Sequence, residues 1–145
     1  MTRESPGPAP DTVVTRGYVL VVEDDATARE VLCEALASEG YGVVGADDVE
    51  RALALIAERA PDVVVSDLHL GAKEGGVDLA RRLRAAASTS ELGLIAMSGS
   101  VEPDWPIVRP FDAYLRKPID IDTLLHLVER LCAHARARAP SAERA

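Results

Sequence analysis

Cysteine is scarce in this sequence, and basic residues are outnumbered by acidic ones. Its two cysteines, Cys33 and Cys132, stand far apart among helical apolar residues, which argues against a disulfide or metal site and favours free buried thiols. Sixteen lysines and arginines against 24 aspartates and glutamates give a net charge of −8, which argues against a nucleic-acid partner. The basic residues near the end, His134, Arg136 and Arg138, suit the negative end of a last helix.

Long apolar runs are missing too. No stretch approaches the roughly 18 residues of a membrane span, and the N-terminus lacks the basic-then-apolar layout of a signal peptide. These absences predict a cytoplasmic protein with no membrane partner. A chain of 145 residues that is 48% hydrophobic is long enough for one core. We therefore predict one domain over residues 17–133, between a disordered extension at 1–16 and a tail at 134–145.

Five short runs of β-branched and aliphatic residues predict strands. They are continuously apolar and do not alternate with polar residues, so both faces of the sheet should be buried. The runs are Tyr18–Val22, Val43–Ala46, Val63–Ser66, Leu92–Met97 and a weaker one at Ala113–Arg116.

Helical periodicity fills the intervals between these strands. Apolar residues recur at i, i+3, i+4, i+7 and i+8 from Ala28, from Val49 and from Leu124, and a further helix passes through Leu79 and Leu83. Strands that alternate with helices imply right-handed crossovers. The sequence therefore predicts an α/β fold, a doubly wound five-stranded parallel sheet with helices on both faces.

The segment before the fifth strand departs from this pattern. Pro103, Pro106 and Pro110 each remove a backbone donor and disfavour helix for the preceding residue, so the fourth helix should be short or missing. We expect Trp105 and Phe111, in the same segment, to pack inward in place of the lost helix. The alternative is that an exposed aromatic there anchors a partner.

Polar residues gather where the predicted strands stop. They are Glu23, Asp24 and Asp25 after the first strand, Asp67 after the third, Ser98 after the fourth and Lys117 after the fifth. Because the carboxyl ends of parallel strands share one edge of the sheet, these residues should meet there. Asp25 is equally well explained as the cap of the first helix.

Carboxylates that converge without arginine repel one another, and a hard cation with oxygen ligands relieves that repulsion. Mg²⁺ fits this description because it uses one or two carboxylates and takes a phosphate oxygen. The pattern therefore predicts a Mg²⁺ site in which Asp67 accepts a phosphoryl group. Lys117 and Ser98 would contact the phosphoryl oxygens, the first as a charge and the second as a hydrogen-bond donor.

With these motifs the sequence resembles the receiver domain of two-component response regulators. The resemblance covers nearly the whole predicted domain and implies a flavodoxin-like receiver fold. The motifs are VLVVEDD at Val19–Asp25, VVVSDL at Val63–Leu68, AMSG at Ala96–Gly99 and YLRKP at Tyr114–Pro118.

The resemblance implies a role for each residue at the strand ends. Asp67 is the phosphoacceptor, and Lys117 contacts the transferred group. The implied metal ligands are Glu23, Asp24, Asp67 and the backbone carbonyl of His69, with Asp25 outside the set. The implied switch residues are the hydroxyl-bearing Ser98 and the aromatic Tyr114, and Pro118 follows a cis peptide. Arg29 and the basic run Arg81–Arg84 also match the family's pattern, but solvated helix faces explain them.

The leading hypothesis is a stand-alone phosphoacceptor, modified on Asp67 by a histidine kinase or phosphotransfer protein. It would signal through protein–protein binding and catalyse only its own phosphorylation and dephosphorylation. Residues 134–145 are too few for an output module, so the downstream partner should be a separate protein. One alternative is a receiver-like scaffold whose binding does not depend on phosphorylation. Another is a small-molecule phosphatase, which is disfavoured because His69 stands where an Asp-x-Asp nucleophile pattern needs its second aspartate.

Overall fold

The computed structural model describes residues 16–70, 75–99 and 105–137. Within these ranges five strands alternate with five helices. The strands are β1 (Tyr18–Val22), β2 (Gly42–Ala46), β3 (Val63–Asp67), β4 (Gly93–Ser98) and β5 (Ala113–Arg116). The helices are α1 (Ala26–Ser38), α2 (Val49–Glu58), α3 (Gly75–Ala85), α4 (Trp105–Val108) and α5 (Ile121–Ala137). Each strand lies within one residue of its predicted bounds.

The strands form one parallel sheet in the order β2-β1-β3-β4-β5. Every residue of β3 and β4 is buried, as the continuously apolar runs predicted. The strand order reverses between β1 and β3, and open α/β sheets bind their ligands at the carboxyl ends of the strands beside such a point. The predicted doubly wound, flavodoxin-like fold is confirmed.

Two hydrophobic layers cover the two faces of the sheet. Alternate residues of a strand point to opposite faces, so Val19 and Val21 pack with α1 and α5 while Leu20 and Val22 pack with α2 and α3. The first layer is completed by Leu32, Leu36, Leu124 and Val128, and the second by Ala52, Ile56, Leu79 and Leu83. This double burial fixes the sheet and holds the strand ends in place.

The helix ends follow local chemistry. Asp25 caps α1, because its side chain accepts a hydrogen bond from the amide of Ala28 at 2.8 Å. Gly40 closes that helix with a φ of 97°, a conformation that glycine adopts without strain. Helix α5 continues to Ala137, four residues past the expected end of the domain, and includes His134. The expected extension at 1–16 lies outside the described residues except for Arg16.

Helix α4 is a single turn of four residues, so the predicted shortening of the fourth helix is confirmed. Val108 fills its inward position with 4% exposure, and Phe111 packs against the apolar residues beneath. Trp105, however, is 70% exposed. Its expected inward packing is wrong because a single turn presents few positions to the core, and Val108 and its neighbour Ile107 take them. Pro103 lies outside the described residues.

Among the helices of the described part of the chain, none is both long and apolar enough to cross a membrane.

Candidate functional site

Strand register decides which polar residues meet at the carboxyl edge of the sheet. Val22 of β1 pairs with Ser66 of β3, so Glu23 and Asp67 follow at the same level. On the other side of β3, Ser98 pairs with the residue before Lys117. The amide of Lys117 then donates a hydrogen bond to the carbonyl oxygen of Ser98 at 2.7 Å.

Three carboxylates converge at this edge. One oxygen each from Glu23, Asp24 and Asp67 lies within 4.8 Å of the other two. Glu23 is 2% exposed and Asp67 is 7% exposed, whereas Asp24 faces solvent. Asp25 stands outside the cluster as the cap of α1, and its amide donates to Glu23 Oε2 at 3.1 Å. We call Glu23, Asp24 and Asp67 the acidic cluster.

Lys117 reaches into the acidic cluster from the end of β5. Its Nζ lies 2.8 Å from Asp67 Oδ2 and 3.1 Å from Glu23 Oε1, so one ammonium group contacts two carboxylates. The peptide that follows, between Lys117 and Pro118, is cis, as the resemblance implied. The four charged side chains together carry a net charge of −2, because one cation faces three anions.

Burial and pairing shift two pKa values in the site. Burial raises the pKa of Glu23 above its ordinary 4.5, and the hydrogen bonds from Asp25 and Lys117 only partly offset that rise. Burial by itself would lower the pKa of Lys117, but the hydrogen bonds to Asp67 and Glu23 outweigh it and raise the pKa overall. Lys117 therefore stays positively charged at neutral pH, beside a glutamate that is costly to ionise.

The remaining site residues surround Asp67. Ser98 ends β4 with 1% exposure, on the strand next to Asp67. The amide of His69 donates to Asp67 Oδ1 at 3.1 Å and helps to fix the carboxylate, while its side chain faces solvent. Tyr114 is half-buried on β5 and packs against a small apolar cluster that includes Leu68 and Val108. The carbonyl of His69 stays a predicted ligand.

The acidic cluster fits Mg²⁺ by its chemistry. Its ligands are all carboxylate oxygens, and two of them are held rigidly by burial while the third is open to water. Mg²⁺ prefers such hard oxygen ligands and keeps several of its own waters. A net charge of −2 also favours a divalent cation at this point.

Two residues that shape the site were not predicted from the sequence. Arg29, which was explained by a solvated helix face, is only partly exposed, and its guanidinium donates from Nη1 to the carbonyl oxygen of Glu23 at 2.8 Å. Gly76, at the start of α3, lies so close to the carbonyl of Asp67 that a Cβ would sit 1.9 Å from that oxygen. The adjacent glycines Gly75 and Gly76 were a signal for close backbone contact, but no sequence pattern pointed to this contact of Arg29.

Comparison with known proteins identifies the family. A profile of the response regulator receiver domain matches residues 19–129. The chain belongs to the response regulator receiver family. This receiver is 33% identical over 125 residues to the phosphate regulon transcriptional regulatory protein PhoB of Pseudomonas aeruginosa, covering 84% of this chain and 53% of that protein. It is 35% identical over 123 residues to the DNA-binding transcriptional regulator NtrC of Salmonella typhimurium, covering 82% of this chain and 25% of that protein.

The receiver thus spans about half the length of the first relative and about a quarter of the second. Solved structures agree with the fold. The receiver domain of Francisella response regulator 1452 superposes with a TM-score of 0.72 at 28% identity, covering 81% of this chain and 98% of that one. Chemotaxis response regulator CheY4 of Vibrio cholerae gives the same TM-score at 24% identity, covering 79% of this chain and 97% of that one, and supports the fold alone.

Proposed function

We propose that this receiver is a Mg²⁺-dependent phosphoacceptor of a two-component phosphorelay, modified on Asp67. The observation that carries the proposal is the position of Asp67, which is buried at the end of the central β3 between two other carboxylates and an ammonium group. In the reaction, an oxygen of Asp67 forms a bond to phosphorus. The bond from phosphorus to the donor breaks, and its electron pair leaves with the donor.

Each neighbour of Asp67 has a task in this proposal. The ammonium of Lys117 stabilises the negative charge of the phosphoryl oxygens, because it already lies 2.8 Å from the acceptor carboxylate. Ser98 donates a hydrogen bond to the phosphoryl group, and a change in its position together with that of Tyr114 alters the protein surface. Ser98 is on β4 and Tyr114 is on β5, the two strands that flank the short α4.

Mg²⁺ would be held by Glu23, Asp24, Asp67 and the backbone carbonyl of His69, and it supplies charge neutralisation for the incoming phosphoryl oxygens. The acidic cluster needs that neutralisation, because three carboxylates would otherwise repel an anionic donor. Because the donor and the acidic cluster are both negatively charged, the proposal predicts that phosphorylation of Asp67 requires a divalent metal ion.

An apolar groove beside the site supports a protein as the phosphoryl donor. Its volume is about 320 Å³, and it runs from Lys117 and Glu23 along α1 to the start of α5. Val31 lines the groove and is 52% exposed, so it adds apolar surface to the groove that a partner could cover. The proposed partner is a histidine kinase or phosphotransfer protein whose phosphohistidine would reach Asp67 from this side. The proposed location is the cytoplasm.

Labelling with acetyl phosphate tests the proposal. The protein is incubated with acetyl phosphate and Mg²⁺ and its intact mass is measured. We expect one phosphoryl adduct in the wild type, none in Asp67→Asn and none when EDTA replaces Mg²⁺. Asp78→Asn, which removes an exposed carboxylate on α3, is the matched control and should label fully. An adduct that persists in Asp67→Asn would contradict the proposal.

The exposed Trp105 favours a second candidate function, a scaffold whose partner binding is independent of phosphorylation. Helix α4 is a single turn, and its first residue presents a large aromatic side chain that is 70% exposed. Partner affinity of the wild type with and without beryllofluoride, compared with that of Asp67→Asn, separates the two functions. A phosphorylation switch predicts a change on adding beryllofluoride to the wild type alone, whereas a scaffold predicts equal affinities throughout.

A further inference from the structure

Arg29 connects helix α1 to the loop that carries the acidic cluster. Its guanidinium donates to the carbonyl oxygen of Glu23 at 2.8 Å, and its backbone amide donates to the carbonyl oxygen of Asp25 at 2.9 Å. The two acceptors belong to the residues on either side of Asp24. The second bond belongs to the first turn of α1 and forms with any side chain at this position, so the guanidinium is the part of Arg29 that ties α1 to the peptide before the exposed Asp24.

Strand β2 leaves room for this arrangement. A Cβ on Gly45 would lie 3.1 Å from Cδ of Arg29 and 3.2 Å from its Cγ, so the arginine stem lies against a position without a side chain. The backbone of Gly45 is ordinary for a strand and pairs with Val21 in register. Space for Arg29 is therefore the reason that a glycine suits this position.

The charge of Arg29 by itself works against a metal at the cluster. A cation at the start of α1 repels Mg²⁺ and should lower its affinity. The benefit of Arg29 must then be geometric, since a hydrogen bond to the carbonyl of Glu23 fixes the peptide that joins Glu23 to Asp24. That peptide sets the direction in which the Asp24 side chain leaves the backbone.

We infer that Arg29 is a positioning residue for the Mg²⁺ site and acts by orienting Asp24 through the Glu23 carbonyl. The inference rests on the proposed function. Replacing a residue that orients a metal ligand without contacting the metal typically weakens metal binding by about 10- to 100-fold. The geometric role and the charge of Arg29 predict effects of opposite sign on Mg²⁺ binding, which makes the inference testable.

The experiment measures Mg²⁺ binding by calorimetry and Mn²⁺ binding by electron paramagnetic resonance for the wild type and Arg29→Met. Methionine keeps an unbranched stem and removes the guanidinium. We expect Kd for both ions to rise about tenfold. At saturating Mg²⁺ the rate of labelling by acetyl phosphate should return to within about twofold of the wild-type rate, because only the metal affinity is impaired. A general loss of structure would not be recovered in this way.

Two further variants separate position from charge. Gly45→Ala keeps the charge of Arg29 but crowds its stem, so it should also raise the Kd for Mg²⁺, by a smaller factor than Arg29→Met. This variant tests the inference independently if Arg29→Met folds poorly. Arg81→Met removes an exposed arginine from α3 and should leave Kd unchanged or slightly lower.

Unchanged or tighter metal binding by Arg29→Met would overturn the inference and leave the proposed function intact. Absence of Mg²⁺ and Mn²⁺ binding by the wild type would instead overturn the proposed function, and the inference with it.

Discussion

Replacing Lys117 by methionine tests the electrostatics of the site directly. The substitution keeps an unbranched stem and removes the ammonium group that lies 2.8 Å from Asp67 Oδ2 and 3.1 Å from Glu23 Oε1. Both carboxylates then remain buried without that cation. We expect the metal-free variant to be less stable than the wild type and to bind Mg²⁺ more tightly, because the metal no longer competes with Lys117 for the same oxygens.

The magnitude follows from the geometry of the cluster. The carboxylate oxygens of the acidic cluster lie within 4.8 Å of one another, and two unit negative charges at that separation repel by about 3.5 kcal/mol at an effective dielectric constant near 20. Removing one partner of a fully buried ion pair costs about 3–5 kcal/mol. The Lys117 side chain is 35% exposed, so water screens part of both effects. The expected loss in the free energy of unfolding is therefore about 2 kcal/mol.

Urea unfolding in EDTA and in Mg²⁺ measures both effects. In EDTA, Lys117→Met should lose about 2 kcal/mol, while Arg81→Met, which removes an exposed cation, should stay within about 0.5 kcal/mol of the wild type. Mg²⁺ at about ten times its Kd adds about 1.4 kcal/mol, so at one fixed concentration the tighter-binding variant should gain more than the wild type. Equal stabilities in EDTA, or a larger gain for the wild type, would refute the reasoning.

Three further predictions concern other parts of the fold. Burial raises the pKa of Glu23, so the folded wild type loses stability as pH rises and this carboxyl ionises, whereas Glu23→Gln does not. Without metal, the unfolding free energy of Glu23→Gln minus that of the wild type should therefore increase from about pH 4 to pH 7, and a difference independent of pH would contradict the raised pKa. Gly76→Ala should lose about 3 kcal/mol or fail to fold, since its Cβ meets the Asp67 carbonyl, whereas Gly75→Ala meets only side chains and should be milder in the same urea assay. Trp105→Ala should change stability by less than about 0.5 kcal/mol and Phe111→Ala should cost about 2 kcal/mol; similar losses would show that the indole is packed.

The order of elements and the main site residues follow from the sequence alone. Continuously apolar runs such as Val63–Ser66 are typical of strands buried on both faces, and the helical repeats between them favour a parallel sheet covered by helices. Polar residues directly after such strands must then lie at one edge, so the proximity of Asp67 and Lys117 could be predicted from their places in the chain. Likewise, the closely spaced prolines limited α4 to a short helix.

Tertiary structure decided what depends on neighbours distant in sequence. Trp105 is exposed because Val108 fills the inward side of a single turn, and proline spacing cannot say which apolar residue takes that place. In sequence Arg29 resembles any surface arginine, and only the packing of α1 on β2 shows that Gly45 leaves the space in which its stem lies. The sequence by itself determined which residues gather around Asp67. Only the packing of strand against helix decided how they are held, because the backbone carbonyls and side-chain spaces that hold them become neighbours only in the folded chain.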